Sequence, residues 1–161
     1  MFVFLFFALF FGVMFWYFGG SQVKDEIPYY VKDVIHETAK VNIHGQIINA
    51  EVVKTASAME HGLSGRESLP IGHGMLFSFG KEGIYPFTMR GMNFPIDIIW
   101  IDNNKVVRIQ ANAPAPKAGE EPAVYTPAEM SDYVLETRSG FSKSVGLEVG
   151  DEIIIDLAGT K

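Results

Sequence analysis

Two hydrophobic patterns divide this chain. From Met1 to Phe18 nearly every position is Phe, Leu, Val, Met or Ala and none is charged, with Trp16 and Tyr17 near the end of the run. As a helix rising about 1.5 Å per residue the run would reach about 27 Å, close to the roughly 30 Å hydrocarbon core of a bilayer. Its Trp and Tyr fall where amphipathic rings favour the headgroups. The pattern predicts a membrane anchor over residues 1–20.

From Val41 onward the pattern changes to short runs rich in Val, Ile, Phe and Trp, separated by Gly, Asn and Pro, which reads as β structure. The candidate strands are Ile47–Lys54, Met75–Phe79, Tyr85–Arg90, Ile96–Ile101, Lys105–Ala111, Tyr133–Arg138 and Glu152–Leu157, with Asn103 and Asn104 turning a hairpin. Helix is scarce. Ser57 followed by Glu60 forms a possible capping box ahead of Gly62, and Ser139–Val145 suggests a second short helix before Gly146. Residues 21–40 read as a tether in which Val31, Val34 and Ile35 are spaced for one or two amphipathic helical turns. The expected organisation is therefore an anchor, this tether, a globular domain over 41–158 and a tail over 159–161. The domain is expected to be mainly β, a compact sandwich- or barrel-like body with one or two short helices. Between strands lies Asn112–Ser131, where Pro114, Pro116, Pro122 and Pro127 stiffen a long loop that suits either a lid or a packed crossover.

Charge narrows the partners. The chain carries 13 Lys and Arg against 19 Asp and Glu, a net of −6, and all of these lie after the apolar run. A nucleic-acid face or a polybasic lipid patch would need clustered cations, so neither partner is expected. With no Cys, a lipid-modified cysteine and a disulfide framework are both excluded. No Lys or Arg precedes Lys24, and the run is longer than a usual export-signal core, so a retained anchor is preferred to a cleaved signal despite Gly19-Gly20-Ser21. Lys24 and Lys32 after the segment weakly favour a cytoplasmic body.

An ordered set of motifs then becomes recognisable: Gly62-Leu63-Ser64-Gly65-Arg66, Gly74-Met75-Leu76-Phe77-Ser78-Phe79, Phe87-Thr88-Met89-Arg90, Pro95-Ile96-Asp97, Asn112-Ala113-Pro114, Tyr133-Val134-Leu135-Glu136 and Gly150-Asp151. Over roughly Val41 to Leu157 the chain resembles the family called domain of unknown function 192. The resemblance implies a compact, mainly β domain without established activity, frequently exported or membrane-tethered in bacteria and archaea. It tilts the expectation toward a body outside the cytoplasm, held at the cytoplasmic membrane by one N-terminal span. Ser64 stands where that family usually has Met.

The candidate chemistry is sparse. Asp97 shares a strand face with Ile99 and Ile101 while Ile98 and Trp100 take the other, so neither face reads as water-facing and the carboxylate needs a partner. Arg66 is the natural mate for Asp97 or Glu136. The candidate binding surface is Arg66, Met75, Met89, Asp97, Glu136 and Tyr125 with the Pro-rich loop. It would serve a small ligand or an envelope protein. No catalytic residue and no cofactor is assigned. A hydrolytic enzyme using the Asp97 and Glu136 carboxylates is one alternative. A Cu(I) site drawn from His61, His73, Met89 and Met92 is another, although Met also fills irregular cores and the histidines lack zinc spacing.

Overall fold

The computed structural model describes residues 37–158, and strand formation begins at once. In β1 (Glu37–Ile43), Ala39, Val41 and Ile43 are buried while Thr38, Lys40 and Asn42 are not, a period of two that packs one face. His44 and Gly45 both take positive φ, 50° and 83°, the two-residue turn that suits the twist of a hairpin. It returns the chain into β2 (Gln46–Val53). Residues 37–40, expected in the tether, are thus strand. The anchor at 1–20, the tether up to residue 36 and the tail at 159–161 lie outside the described residues. Among the described residues no helix is long and apolar enough to cross a membrane.

A crossover through α1 (Ala56–His61) sets β3 (His73–Gly83) parallel to β2. The helix is capped by Thr55, whose Oγ1 accepts from the Ala58 N–H at 3.2 Å, and not by Ser57. Gly62 closes it with φ of 51°. The expected strand at Tyr85–Arg90 contracts to β4 (Phe87–Thr88). Pro86 has no N–H to give a ladder, and the Tyr85 carbonyl instead accepts from Trp100 Nε1 at 2.9 Å.

Next come β5 (Ile96–Asp102) and β6 (Lys105–Ala113), joined by Asn103 and Asn104 at φ of 47° and 63°, the hairpin expected from the sequence. The Pro-rich loop crosses over and contributes β7 (Val124–Tyr125), which pairs with β4. It leads to β8 (Ser131–Arg138), a short α2 (Phe141–Ser144) and β9 (Ile154–Leu157).

Among the described residues the result is mainly β: a seven-stranded sheet in the order β6-β5-β8-β3-β2-β1-β9, a two-stranded ribbon and two short helices. Lys105 bridges Glu152, Val106 exchanges backbone hydrogen bonds with Gly150 and Asp151, and the Ile153 N–H donates to the Asn104 carbonyl. These bonds tie β6, at one edge, to the segment that enters β9, at the other. One face of the sheet is thereby closed over Val41, Ile43, Leu76, Ile99, Leu135 and Ile153. Met75, Phe77, Ile98, Trp100 and Val134 lie on the second face, which is covered by α1, the loop after it and the β4–β7 ribbon. With both faces buried, β5 is buried along nearly its whole length, as its unbroken apolar run requires.

Candidate functional site

Strand register assembles the site. Glu51 on β2, Met75 on β3, Glu136 on β8 and Ile98 on β5 are successive cross-strand partners, so their side chains form one row on the covered face. Met75 and Ile98 are fully buried, and Glu136 is 4% exposed.

Above this row runs the loop that follows α1. Ser64 Oγ donates to the Arg90 carbonyl at 2.9 Å, the Gly65 N–H to the Gly91 carbonyl at 2.8 Å, and Asn93 Nδ2 to the Arg66 carbonyl at 3.0 Å. Gly91 has φ of 72°, and a Cβ there would stand 3.0 Å from Ser64 Cβ, so the close approach of the two segments requires glycine. Ser64, the departure from the resembling family's usual Met, thus has a defined role in this chain: its hydroxyl fastens one loop to the other.

The fastened loop aims Arg66 at Glu51. Nη1 and Nη2 donate to Oε1 and Oε2 at 2.6 Å each, a two-pronged charge-assisted pair. The hydrogen-bonded Glu51, with a smaller Coulombic contribution from Glu136, raises the guanidinium's affinity for its proton, against the opposing effect of burial. Arg66 therefore pairs with neither of the carboxylates expected from the sequence.

Asp97 lies on the closed face. Its Oδ1 accepts from the backbone of Asn112 and Gly140 at 2.8 and 3.0 Å, and its Oδ2 from the backbone N–H of Ser142 at 2.8 Å and from the Ser142 hydroxyl. Its need for partners is met by backbone amides and a hydroxyl, which makes it an anchor for the end of β6 and the start of α2. Asp97 pairs across the ladder with Thr137, whereas Glu136 pairs with Ile98, so the two acids point to opposite faces. They do not converge as an acid and base.

Glu136 has no such partners. Burial pushes its carboxyl up to about 8, with the nearby Arg66 charge acting in the opposite direction. Its Oε2 has no hydrogen-bond partner among the described residues. The side chain lines a cavity of about 680 Å³. One wall is apolar, with Met59, Leu63, Phe77, Phe79, Tyr85 and Phe87; Glu60, His61, Ser64, Thr88 and Arg90 supply polar groups. The rings brace one another: Phe79 stacks on Tyr85 with centroids 3.5 Å apart, and Phe87 meets Phe77 edge-on at 4.8 Å and Trp100 at 5.9 Å.

Of the other expected site residues, Met89 is fully buried in the cluster on the covered face, and Tyr125 packs against that cluster beside its ladder partner Phe87. The Met and His set is divided. His61 and Met92 line the large cavity, while His73 belongs to a second one of about 270 Å³ with Ile48, Thr137 and Phe141. Among the described residues no group of three His, Cys, Asp or Glu is placed to hold a metal. Glu51 and the aromatic wall were not singled out in the sequence. Glu51 reads there as an ordinary half-exposed strand acid, and the Phe residues read as core.

A family model described as DUF192, Uncharacterized ACR, matches residues 39–155. Among solved structures, a Sinorhizobium meliloti 1021 protein described as a candidate transcription regulator is similar, with TM-score 0.64 and 26% identity over 74% of this chain and 92% of its own. A Novosphingobium aromaticivorans DSM 12444 protein of unknown function gives 0.62 and 27%, over 74% of this chain and 86% of its own. No curated protein matches at a significant level.

Proposed function

The chain belongs to the DUF192 family, and we propose that this member is a small-ligand-binding module whose site is the Glu136 cavity. One observation carries the reading: a buried carboxyl with an unpartnered oxygen belongs to the lining of a cavity of about 680 Å³ in which aromatic and aliphatic side chains are mixed with polar ones. Apolar walls with a few convergent polar groups are the usual construction of small-molecule sites, and the volume falls within the range of about 300–1,000 Å³ common for them. The loop-to-loop hydrogen bonds and the Arg66–Glu51 fork hold the surroundings in place, which lowers the entropy cost of binding.

The uncharged apolar run Met1–Phe18 supports placing this module at a membrane, and membership of an often exported family, against the weak lysine count, supports a domain outside the cytoplasm. The regulator description of the Sinorhizobium protein is not extended to this chain, whose acidic balance argues against a nucleic-acid face. The binding role is tested by titrating isotopically labelled protein with 2-phenylethanol, a neutral aromatic probe. Amide shifts concentrated at Gly62, Ser64, Phe77 and Gly91 are expected. Shifts absent or scattered over the closed face would sink the proposal.

A further inference from the structure

Glu136 is the feature that the packing of the domain leaves unexplained. A carboxyl this deeply buried, with one oxygen lacking a donor, weakens the fold by leaving a desolvated polar group unsatisfied. The nearest cation does not relieve it, because Arg66 gives both Nη groups to Glu51. Glu136 belongs to the lining of the large cavity, so a ligand there that supplies N–H donors and positive charge would meet the carboxyl.

We propose that the cavity takes a protonated amine carried on a compact apolar body, with the Glu136 carboxylate as its counter-charge; this rests on the binding role proposed above and names its ligand class. The surroundings fit such a cation. Phe77, Phe79, Tyr85 and Phe87 offer aromatic surface, and Met59 and Met92 polarisable thioethers. The charged and titratable groups around the carboxyl are Arg66 from the loop after α1, Glu51 from β2, Glu60 and His61 from α1, Tyr85 from the segment after β3, and Arg90 from the turn after β4. Glu51 cancels Arg66, and Arg90 is solvent-exposed, so Glu136 meets little competing positive charge within the cavity. An anionic ligand would oppose the ionisation of Glu136 and gain from it only the hydrogen bond that a neutral carboxyl donates. A neutral one would gain only an ordinary hydrogen bond, whereas an ammonium gains a charge-assisted bond to a buried carboxylate.

Proton balance makes the proposal measurable. Free Glu136 holds its proton at neutral pH, so an entering ammonium keeps its own protons and drives the carboxyl's proton into the buffer. The test is calorimetry on the full chain at pH 7 with 2-phenylethylamine and 2-phenylethanol, in buffers of different ionisation enthalpy. The amine is expected to bind more tightly by about tenfold or more and to release close to one proton per ligand. In Glu136→Gln the preference should disappear, and amide positions of β3 and of the loop after α1 that match the unaltered protein report that the variant's cavity is intact. Equal or tighter binding of the alcohol, a preference that survives in Glu136→Gln, or no proton release in the unaltered protein would each overturn the amine proposal and leave the binding role standing. Failure of both probes to bind the unaltered protein would overturn the two together.

Discussion

A carboxyl held neutral by burial carries its own pH signature. In the unfolded chain Glu136 ionises in the ordinary range near 4.5, whereas in the folded protein it keeps its proton to about 8. Between those values the folded state binds more protons than the unfolded state, so stability falls as pH rises through the window and levels off above it. Most of the slope belongs to the buried side chain, and Glu136→Gln should remove that part, leaving the variant more stable than the parent at pH 8 by on the order of 4 kcal/mol; a smaller slope of the same sign stays with Asp132, whose carboxyl burial also raises. Urea melts of both proteins at pH 5 and pH 8 would show this, and equal slopes for the two would refute it. Asp97 shows what residue-scale reading of the sequence can reach. Its place in an apolar strand revealed that it must be buried and paired, but backbone amides leave no mark in a sequence, so an Arg was the only partner in view. Glu51 was hidden for a different reason: the register that sets it beside Met75 and Glu136 depends on a parallel pairing formed across α1.

At the scale of elements, β3 is the member on which the site depends, since it carries Met75, Phe77 and Phe79 and leads to Tyr85. Its entry is tight. A Cβ at Gly74 would stand 2.9 Å from both the Glu136 carbonyl and Ile48 Cγ2. Gly74→Ala must therefore push β3 from β8 or displace Ile48, at about 1–3 kcal/mol. Because the crowded carbonyl belongs to Glu136 itself, amide shifts along β8 should accompany the lower denaturation midpoint; an unchanged midpoint would contradict the packing. Most strands were legible because Ile96–Ile101, Lys105–Ala111 and Tyr133–Arg138 combine β-branched runs with clear turn residues. β1 was obscured by its composition, Glu-Thr-Ala-Lys-Val-Asn-Ile, in which Ala39 is the first buried position and local propensity is weak. The β4 region erred the other way. Its residues favour strand, but Pro86 and the Trp100 hydrogen bond divert the backbone.

For the whole molecule, the mainly β architecture followed from the spacing of apolar runs, and the motif order identified the family before any contact was known. The joining of the sheet's edges was not visible, because it rests on backbone hydrogen bonds of Gly150, Asp151 and Ile153 in a segment with little strand character. The proposed location is a property of the full chain and is tested on it. A reporter fused after Lys161 that is active only outside the cytoplasm, together with recovery in the membrane fraction, is the expected outcome; cytoplasmic activity would refute the orientation. The strand order has a temporal consequence as well. Ala39 in the first strand is paired with Leu157 in the last, so the ladder that completes the sheet joins segments separated by most of the chain. On the ribosome the early hairpin must wait, its outer edge unsatisfied, until the final strand has emerged. Such long-range closure places the domain among slow-folding topologies, with the β1 edge open to other pairings until β9 arrives.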